Sequence, residues 1–380
     1  MDTTNSSFPE AVVQVLREEG LLNARDTEQA KVIRFAHPAQ LQIVQRSVDT
    51  GHPHFYNQLY AGTDPYGLAG TWVSEALNTN QYTFEVAPAF SLAEHAVLQR
   101  ALRLFKFPHG DGIFSPGGSI SNMYALVLAR YKMVPQVKTE GVCGEAPLVA
   151  FTSEDAHYSM LKGAHWLGLG TRNVVRVKTD ARGCMEPAHL EQCIVRTRRE
   201  GSRPFIVIAT AGTTILGSFD PLEAIANVCQ KNKLWLHVDA CWGGSLLLSS
   251  KHAHHLAGIE RVDSVSWNPH KMLGAPLQCS LLLVKEEGLL HKCNSASATY
   301  LFQQDKFYDT SFDSGDKSVQ CGRKTDAYKL WLMWRARGDK GLGFELVLPE
   351  FQCTNVCFWF IPESMRDEKR DDLWWEKLSK

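Results

Sequence analysis

Two polar tetrapeptides close apolar runs near the middle of the chain. His237-Val238-Asp239-Ala240 continues Leu234-Trp235-Leu236, and Asn268-Pro269-His270-Lys271 continues Ser264-Val265-Ser266-Trp267, so Lys271 stands 32 residues (271 − 239) after Asp239. Each run reads as a buried strand. A carboxylate buried at a strand end needs a cationic partner, and a lysine placed the same way is desolvated and nucleophilic. A nucleophilic amine condenses with an aldehyde, and a fixed carboxylate keeps a pyridine nitrogen protonated; pyridoxal phosphate requires both. The plainer alternatives are an exposed lysine and, for Asp239, a salt bridge or a helix cap on the Gly243-Gly244 turn.

Other segments carry chemistry that would complete such a site. Ser115-Pro116-Gly117-Gly118-Ser119-Ile120-Ser121-Asn122 precedes a helical pattern through Met123, Leu126, Val127 and Ala129. Glycines let backbone approach an anion, and hydroxyls at a helix N-terminus donate to it, which makes a phosphate cradle; alone, the motif serves equally as a capped turn. His157 follows the run Leu148-Val149-Ala150-Phe151 and its Thr152-Ser153 turn. An imidazole at a strand's carboxyl end can stack on a planar ring, or be a hydrogen-bonded loop histidine. Ala211-Gly212-Thr213-Thr214 follows the run ending at Ala209 and offers hydroxyls, or forms an ordinary turn. His252, His254 and His255 cluster without a cysteine or carboxylate at ligand spacing; they read as a solvated loop, and no metal is assigned.

The elements that must hold these residues follow from periodicity. Between 148 and 284 apolar runs alternate with helical patterns, ending with Leu281-Leu282-Leu283-Val284, which argues for an α/β domain with a mostly parallel sheet. Asp220 and Pro221 signal the start of a helix with the stripe Leu222, Ile225, Ala226 and Cys229. Val12, Val15 and Leu16 mark an N-terminal helical arm, and 51–88, rich in Gly, Pro, Asn and aromatics, reads as irregular chain lining a cleft or a subunit contact. The expected division is an arm and substrate or dimer segment over 1–90, a large cofactor domain over 91–327, and a small C-terminal subdomain over 328–380 with a charged tail from Arg366.

Composition narrows the class of partner. Forty basic and 41 acidic side chains give a formal charge of −1, without the basic footprint of a nucleic-acid or anionic-membrane binder. No apolar run approaches the ~20 residues that span a bilayer. Residues 1–10 lack the pattern of a signal peptide. The ten cysteines, among them Cys279 and Cys357, show no regular spacing and read as small buried hydrophobes, so a cytoplasmic setting with reduced thiols is expected.

Pro116-Gly117-Gly118-Ser119-Ile120-Ser121-Asn122, His157-Tyr158-Ser159, Gly212-Thr213-Thr214, His237-Val238-Asp239-Ala240 and Asn268-Pro269-His270-Lys271 together resemble the group II pyridoxal-phosphate amino acid decarboxylases. Phe55-Tyr56-Asn57-Gln58-Leu59 and the stretches 78–85, 300–309 and 316–323 are most similar to the cysteine sulfinate and acidic amino acid branch, with glutamate decarboxylases a step further away. The resemblance, running from about Ala30 to Leu378, implies the aspartate-aminotransferase-type fold (fold type I), with a seven-stranded-type sheet flanked by helices, and a homodimer with shared active sites. It implies Lys271 as the lysine that binds the cofactor, Asp239 as partner of its ring nitrogen, and His157 stacked on its ring. Ser119, the Ile120 backbone and His270 would hold the phosphate with Thr214 nearby; Gln58, Tyr60 and Asn80 would face the substrate. Tyr308, on a mobile loop reaching the neighbouring subunit, would return a proton after carbon dioxide leaves. The implied reaction is decarboxylation of a small acidic amino acid, cysteine sulfinate to hypotaurine in taurine biosynthesis or aspartate to β-alanine, with glutamate as the alternative.

Two departures from that family pattern stand out. Gly341-Leu342 passes directly to Gly343-Phe344-Glu345 where relatives carry a further helix, and the chain stops at Lys380, before the arginine that relatives use for the substrate α-carboxylate. A shortened form, with an incomplete subdomain and apolar surface around Phe358, Trp359 and Phe360, is therefore expected to be catalytically impaired, or to act as a cofactor-binding dimer partner. An aminotransferase or lyase on the same fold is a third reading, against which the Asn-Pro-His-Lys motif and the loop tyrosine count.

Overall fold

A computed structural model describes residues 47–342 except 53, 57, 297, 299 and 304. The expected N-terminal arm, the apolar cluster at 358–360 and the charged tail lie outside the described residues.

The runs read as strands are strands. β2 (Leu148–Ser153), β4 (Arg203–Thr210), β5 (Trp235–Asp239), β6 (Ser264–Trp267) and β7 (Ser280–Val284) are joined by β1 (Asp111–Ser115) and β3 (Val174–Val177). They form one seven-stranded sheet in the order β1-β7-β6-β5-β4-β2-β3, in which only β7 runs antiparallel to its neighbours. β1 and β3 were not evident in the sequence, because β1, Asp-Gly-Ile-Phe-Ser, has only two apolar residues and β3 is interrupted by Arg176.

Helices cover both faces, as a parallel sheet requires. One face is packed by α2 (Pro88–Leu104), α5 (Pro187–Arg199), α6 (Leu222–Asn232) and α8 (Asp326–Leu342), through residues such as Leu102, Leu190, Ile225 and Leu330. The other carries α3 (Gly118–Met133), α4 (Ser159–Trp166) and α7 (Leu289–Asn294), through Leu126, Leu128, Met160 and Leu290. Strand side chains alternate between these cores: Leu236, Val238, Val265 and Trp267 face the first, while Trp235, Ile206 and Ile208 face the second.

Four expectations about local structure differ from what is observed. The stretch 51–88 is not all irregular: it contains α1 (Pro65–Leu77), with Pro65 in its first turn and Asp64 Oδ1 accepting from Tyr66 N at 2.8 Å. Conversely, Asp220 does not cap α6. The helix starts at Leu222, and the buried Asp220 carboxylate accepts at 2.7 Å from Thr210 N and at 2.7 Å from Met185 N. Tertiary donors outcompete the local helix for it. The boundary expected at 327/328 falls within α8, and the histidine cluster is not simply a solvated loop, since His252 is buried.

Candidate functional site

The register of the parallel strands brings the polar tetrapeptides to one edge. Thr210 pairs with Asp239, and Asp239 with Ser266, so the carboxyl ends of β4, β5 and β6 are level. Such an edge, with loops leaving in succession, is where open α/β sheets bind ligands. A pocket of about 170 Å³ lies there, walled by Ser119 from α3, His157 and Tyr158 after β2, Thr214 after β4, Asp239 and Cys241 from β5 and its turn, and Lys271 after β6.

At one wall the chain starts α3 through Gly117, whose φ of +101° suits glycine, and Gly118. A Cβ on Gly118 would stand 2.7 Å from Asn268 Nδ2 and closer still to Cys241 Sγ, so no side chain fits between the helix N-terminus and the β5 and β6 turns. Gly118 and Ser119 line the pocket from there.

Asp239 is buried and well bonded. Its Oδ2 accepts from Asn122 Nδ2 at 2.8 Å and its Oδ1 from Cys241 N at 3.1 Å. Burial opposes ionisation, but the Lys271 ammonium and these donors outweigh it and hold the carboxyl below its ordinary range. Lys271 and Asp239 thus act on each other across one pocket, and among the described residues Lys271 Nζ makes no hydrogen bond or ion pair. His157 is half-buried on the wall; burial pushes its pKa down, and Nδ1 accepts from Ser159 N at 3.2 Å, which leaves the proton of the neutral ring on Nε2.

Other expected residues are not on this wall. Ile120 N donates to Gly117 O at 3.0 Å inside the helix's first turn. His270 is buried with Nδ1 2.7 Å from Cys279 O, and burial lowers its pKa to about 4. Gln58 is exposed, Tyr60 rests 6.2 Å from the Phe55 ring, and Asn80 Oδ1 accepts from Arg323 N at 2.8 Å. The Tyr308 hydroxyl donates to Asp313 Oδ1 at 3.1 Å, outside the pocket.

Several pocket residues carried no assigned role in the sequence. Asn122 lies one helical turn after Ser119 and so shares its face of α3. The polar alternation His237, Asp239 on β5 and Ser264, Ser266 on β6, set in otherwise apolar strands, was a second usable signal. Tyr158, Cys241, Trp242 and Asn268 complete the wall.

A buried anion, an available amine and a glycine-lined helix N-terminus around one cavity are the donor set a pyridine ring bearing an aldehyde and a phosphate requires. Residues 28–345 match the family model described as pyridoxal-dependent decarboxylase conserved domain, and the chain belongs to that family. It is a pyridoxal-phosphate-dependent carboxy-lyase. Among relatives, the cysteine sulfinic acid decarboxylase of Homo sapiens is 54% identical over 362 residues, covering 89% of this chain and 73% of its own. The acidic amino acid decarboxylase GADL1 of Xenopus tropicalis is 48% identical over 424 residues, covering 99% of this chain and 82% of its own. The crystal structure of mouse CSAD superposes with a TM-score of 0.91 at 46% identity, over 100% of this chain and 88% of that one.

Proposed function

We propose that this chain decarboxylates a small acidic amino acid, cysteine sulfinate to hypotaurine first and aspartate to β-alanine second, as a cytoplasmic homodimer. The observation that carries the reading is the convergence of Lys271, Asp239 and His157 on one pocket at the carboxyl edge of the sheet. The names of the human and frog relatives support the acidic substrate.

When bound, pyridoxal phosphate supplies an aldehyde for amine capture and a cationic ring that accepts the electron pair left as carbon dioxide departs. Lys271, on the pocket wall, would be the amine that holds the cofactor and releases it to the substrate. Asp239, held ionised, would pair with the ring nitrogen, and the neutral His157 would stack on the ring. Ser119 and Thr214, which line the pocket, would donate to the phosphate; the Ile120 backbone and His270, assigned to it by the resemblance, lie off that wall. Gln58, Tyr60 and Asn80, off the wall of this chain's own pocket, are proposed to meet the substrate. Tyr308 returns the proton; its hydroxyl lies outside its own chain's pocket, which supports service to the site of a second copy.

The test is incubation of the purified protein and cofactor with cysteine sulfinate, aspartate and glutamate in turn, following the visible spectrum and released carbon dioxide. Carbon dioxide should appear fastest from cysteine sulfinate. A cofactor band with no carbon dioxide from any of the three acids would overturn the proposal and leave a cofactor-binding partner.

A further inference from the structure

Behind Asp239, on the α3 side of the sheet, lies a row of buried polar groups whose hydrogen bonds have one self-consistent direction. Trp235 Nε1 is only a donor, and it donates to Ser264 Oγ at 2.9 Å. The Ser264 hydroxyl keeps its own proton to donate, and His237 Nδ1 stands 2.9 Å away to accept it. An imidazole that accepts at Nδ1 carries its proton on Nε2 when neutral, and His237 Nε2 stands 3.0 Å from Asn122 Oδ1, with Ser266 Oγ at 3.2 Å. The Asn122 amide is therefore turned with its oxygen toward His237 and both its protons forward, one on Ser159 Oγ at 3.1 Å and one on Asp239 Oδ2 at 2.8 Å. Strand register builds the row, since His237 pairs with Ser264 and Asp239 with Ser266.

We propose that Trp235, Ser264, His237 and Asn122 form a one-way donor chain whose task is to keep Asp239 an anion, making His237 and Asn122 positioning residues for the protonated cofactor ring. The inference rests on the reading that Asp239 meets the ring nitrogen. The acceptor-only Asp239 carboxylate fixes the Asn122 amide with its oxygen toward His237, and that oxygen favours a proton on His237 Nε2, the tautomer that the Ser264 hydroxyl supports by donating at Nδ1. Complete burial, which pushes the His237 pKa down to about 4, keeps the ring neutral and the direction fixed. The other titratable groups around Asp239 are Lys271, His157 and the Cys241 thiol, whose pKa burial raises. Among them only the Lys271 ammonium favours the anion with its charge, and that amine leaves for the substrate reaction; the donor chain supplies a bias that persists.

Two arms test this on the full-length protein. In the first, without cofactor, imidazole 15N chemical shifts should show His237 neutral with its proton on Nε2 from pH 5 to 9, identified by its disappearance in His237→Gln. In the second, the protein is loaded with ring-15N pyridoxal phosphate and the pH at which the ring nitrogen loses its proton is read from its chemical shift. Asn122→Leu removes a charge-assisted bond to Asp239 and should lower that pH by about 1–2 units. His237→Leu should shift it the same way, and His237→Gln, which can still donate to Asn122 Oδ1, should restore it. A proton on His237 Nδ1 in the first arm would overturn the chain. So would an unchanged ring-nitrogen titration in a folded Asn122→Leu. If Asn122→Leu does not fold, Ser264→Ala decides, since cutting the donor to Nδ1 should release the tautomer and lower the ring-nitrogen titration. Failure of the wild type to bind cofactor covalently would instead sink the functional reading and leave the first arm standing.

Discussion

At the residue scale, the site depends on charges that burial makes costly. Asp239 remains ionised in the sheet because donors converge on it, whereas His237 beside it stays neutral. The linkage has a definite sign. A histidine with a folded pKa near 4 and an unfolded pKa near 6.5 binds fewer protons when folded, so stability falls as pH drops from about 6.5 to 4, by up to about 3 kcal/mol from His237 alone. His270, pushed to about 4 by its own burial, adds to the same loss. Denaturant titrations across that window should show the decline, and His237→Gln should flatten it. Gly118→Ala should abolish cofactor retention on gel filtration, since its Cβ would force apart Asn268 and Cys241. The residues that anchor the site were legible because charged groups ending apolar runs are conspicuous. Asn122 and His237 left only indirect signals, a helical turn after Ser119 and a polar alternation on β5, because a neutral amide or imidazole becomes functional only through the cross-strand register that places it.

At the element scale, the same local signature had two outcomes. Asp-Pro marks a helix start at Asp64-Pro65, where the carboxylate is free to cap α1, and not at Asp220-Pro221, where Thr210 N and Met185 N claim the side chain. Mostly apolar strands were readable from the sequence; β1 was not, since Asp-Gly-Ile-Phe-Ser holds only two apolar residues after a turn-like Asp-Gly, nor was β3, whose valines are interrupted by Arg176. β1 is held instead by a contact distant in sequence. Glu94 on α2 forms a bidentate pair with the buried Arg323, with Nη2 to Oε1 at 2.5 Å and Nη1 to Oε2 at 3.1 Å, and also accepts from Phe114 N at 3.1 Å. Arg323→Ala would strand a buried carboxylate and should cost about 3–5 kcal/mol in chemical denaturation. A loss below about 1 kcal/mol would show that the pair is not structural.

At the scale of the whole molecule, the sheet edge gathers groups that lie far apart in sequence, but Tyr308 stays with Asp313 and Lys306 beyond the pocket. If that tyrosine serves a second copy, inactive Lys271→Ala and Tyr308→Phe subunits should complement each other. Random mixing in equal amounts gives half hybrid dimers with one intact site each, so about a quarter of wild-type carbon dioxide release should return. No recovery would mean that each chain uses its own tyrosine or none. A loop serving a second copy is expected only through resemblance, because nothing in periodicity or spacing says which copy a loop serves.

The central claim is that the amine at 271 and the carboxylate at 239 share one vitamin B6 ring. Borohydride reduction of the cofactor-loaded protein, followed by proteolysis and mass mapping, tests it most directly. The pyridoxyl mass should sit on Lys271 alone and vanish in Lys271→Ala. Its appearance on another lysine, or its persistence in that variant, would contradict the account.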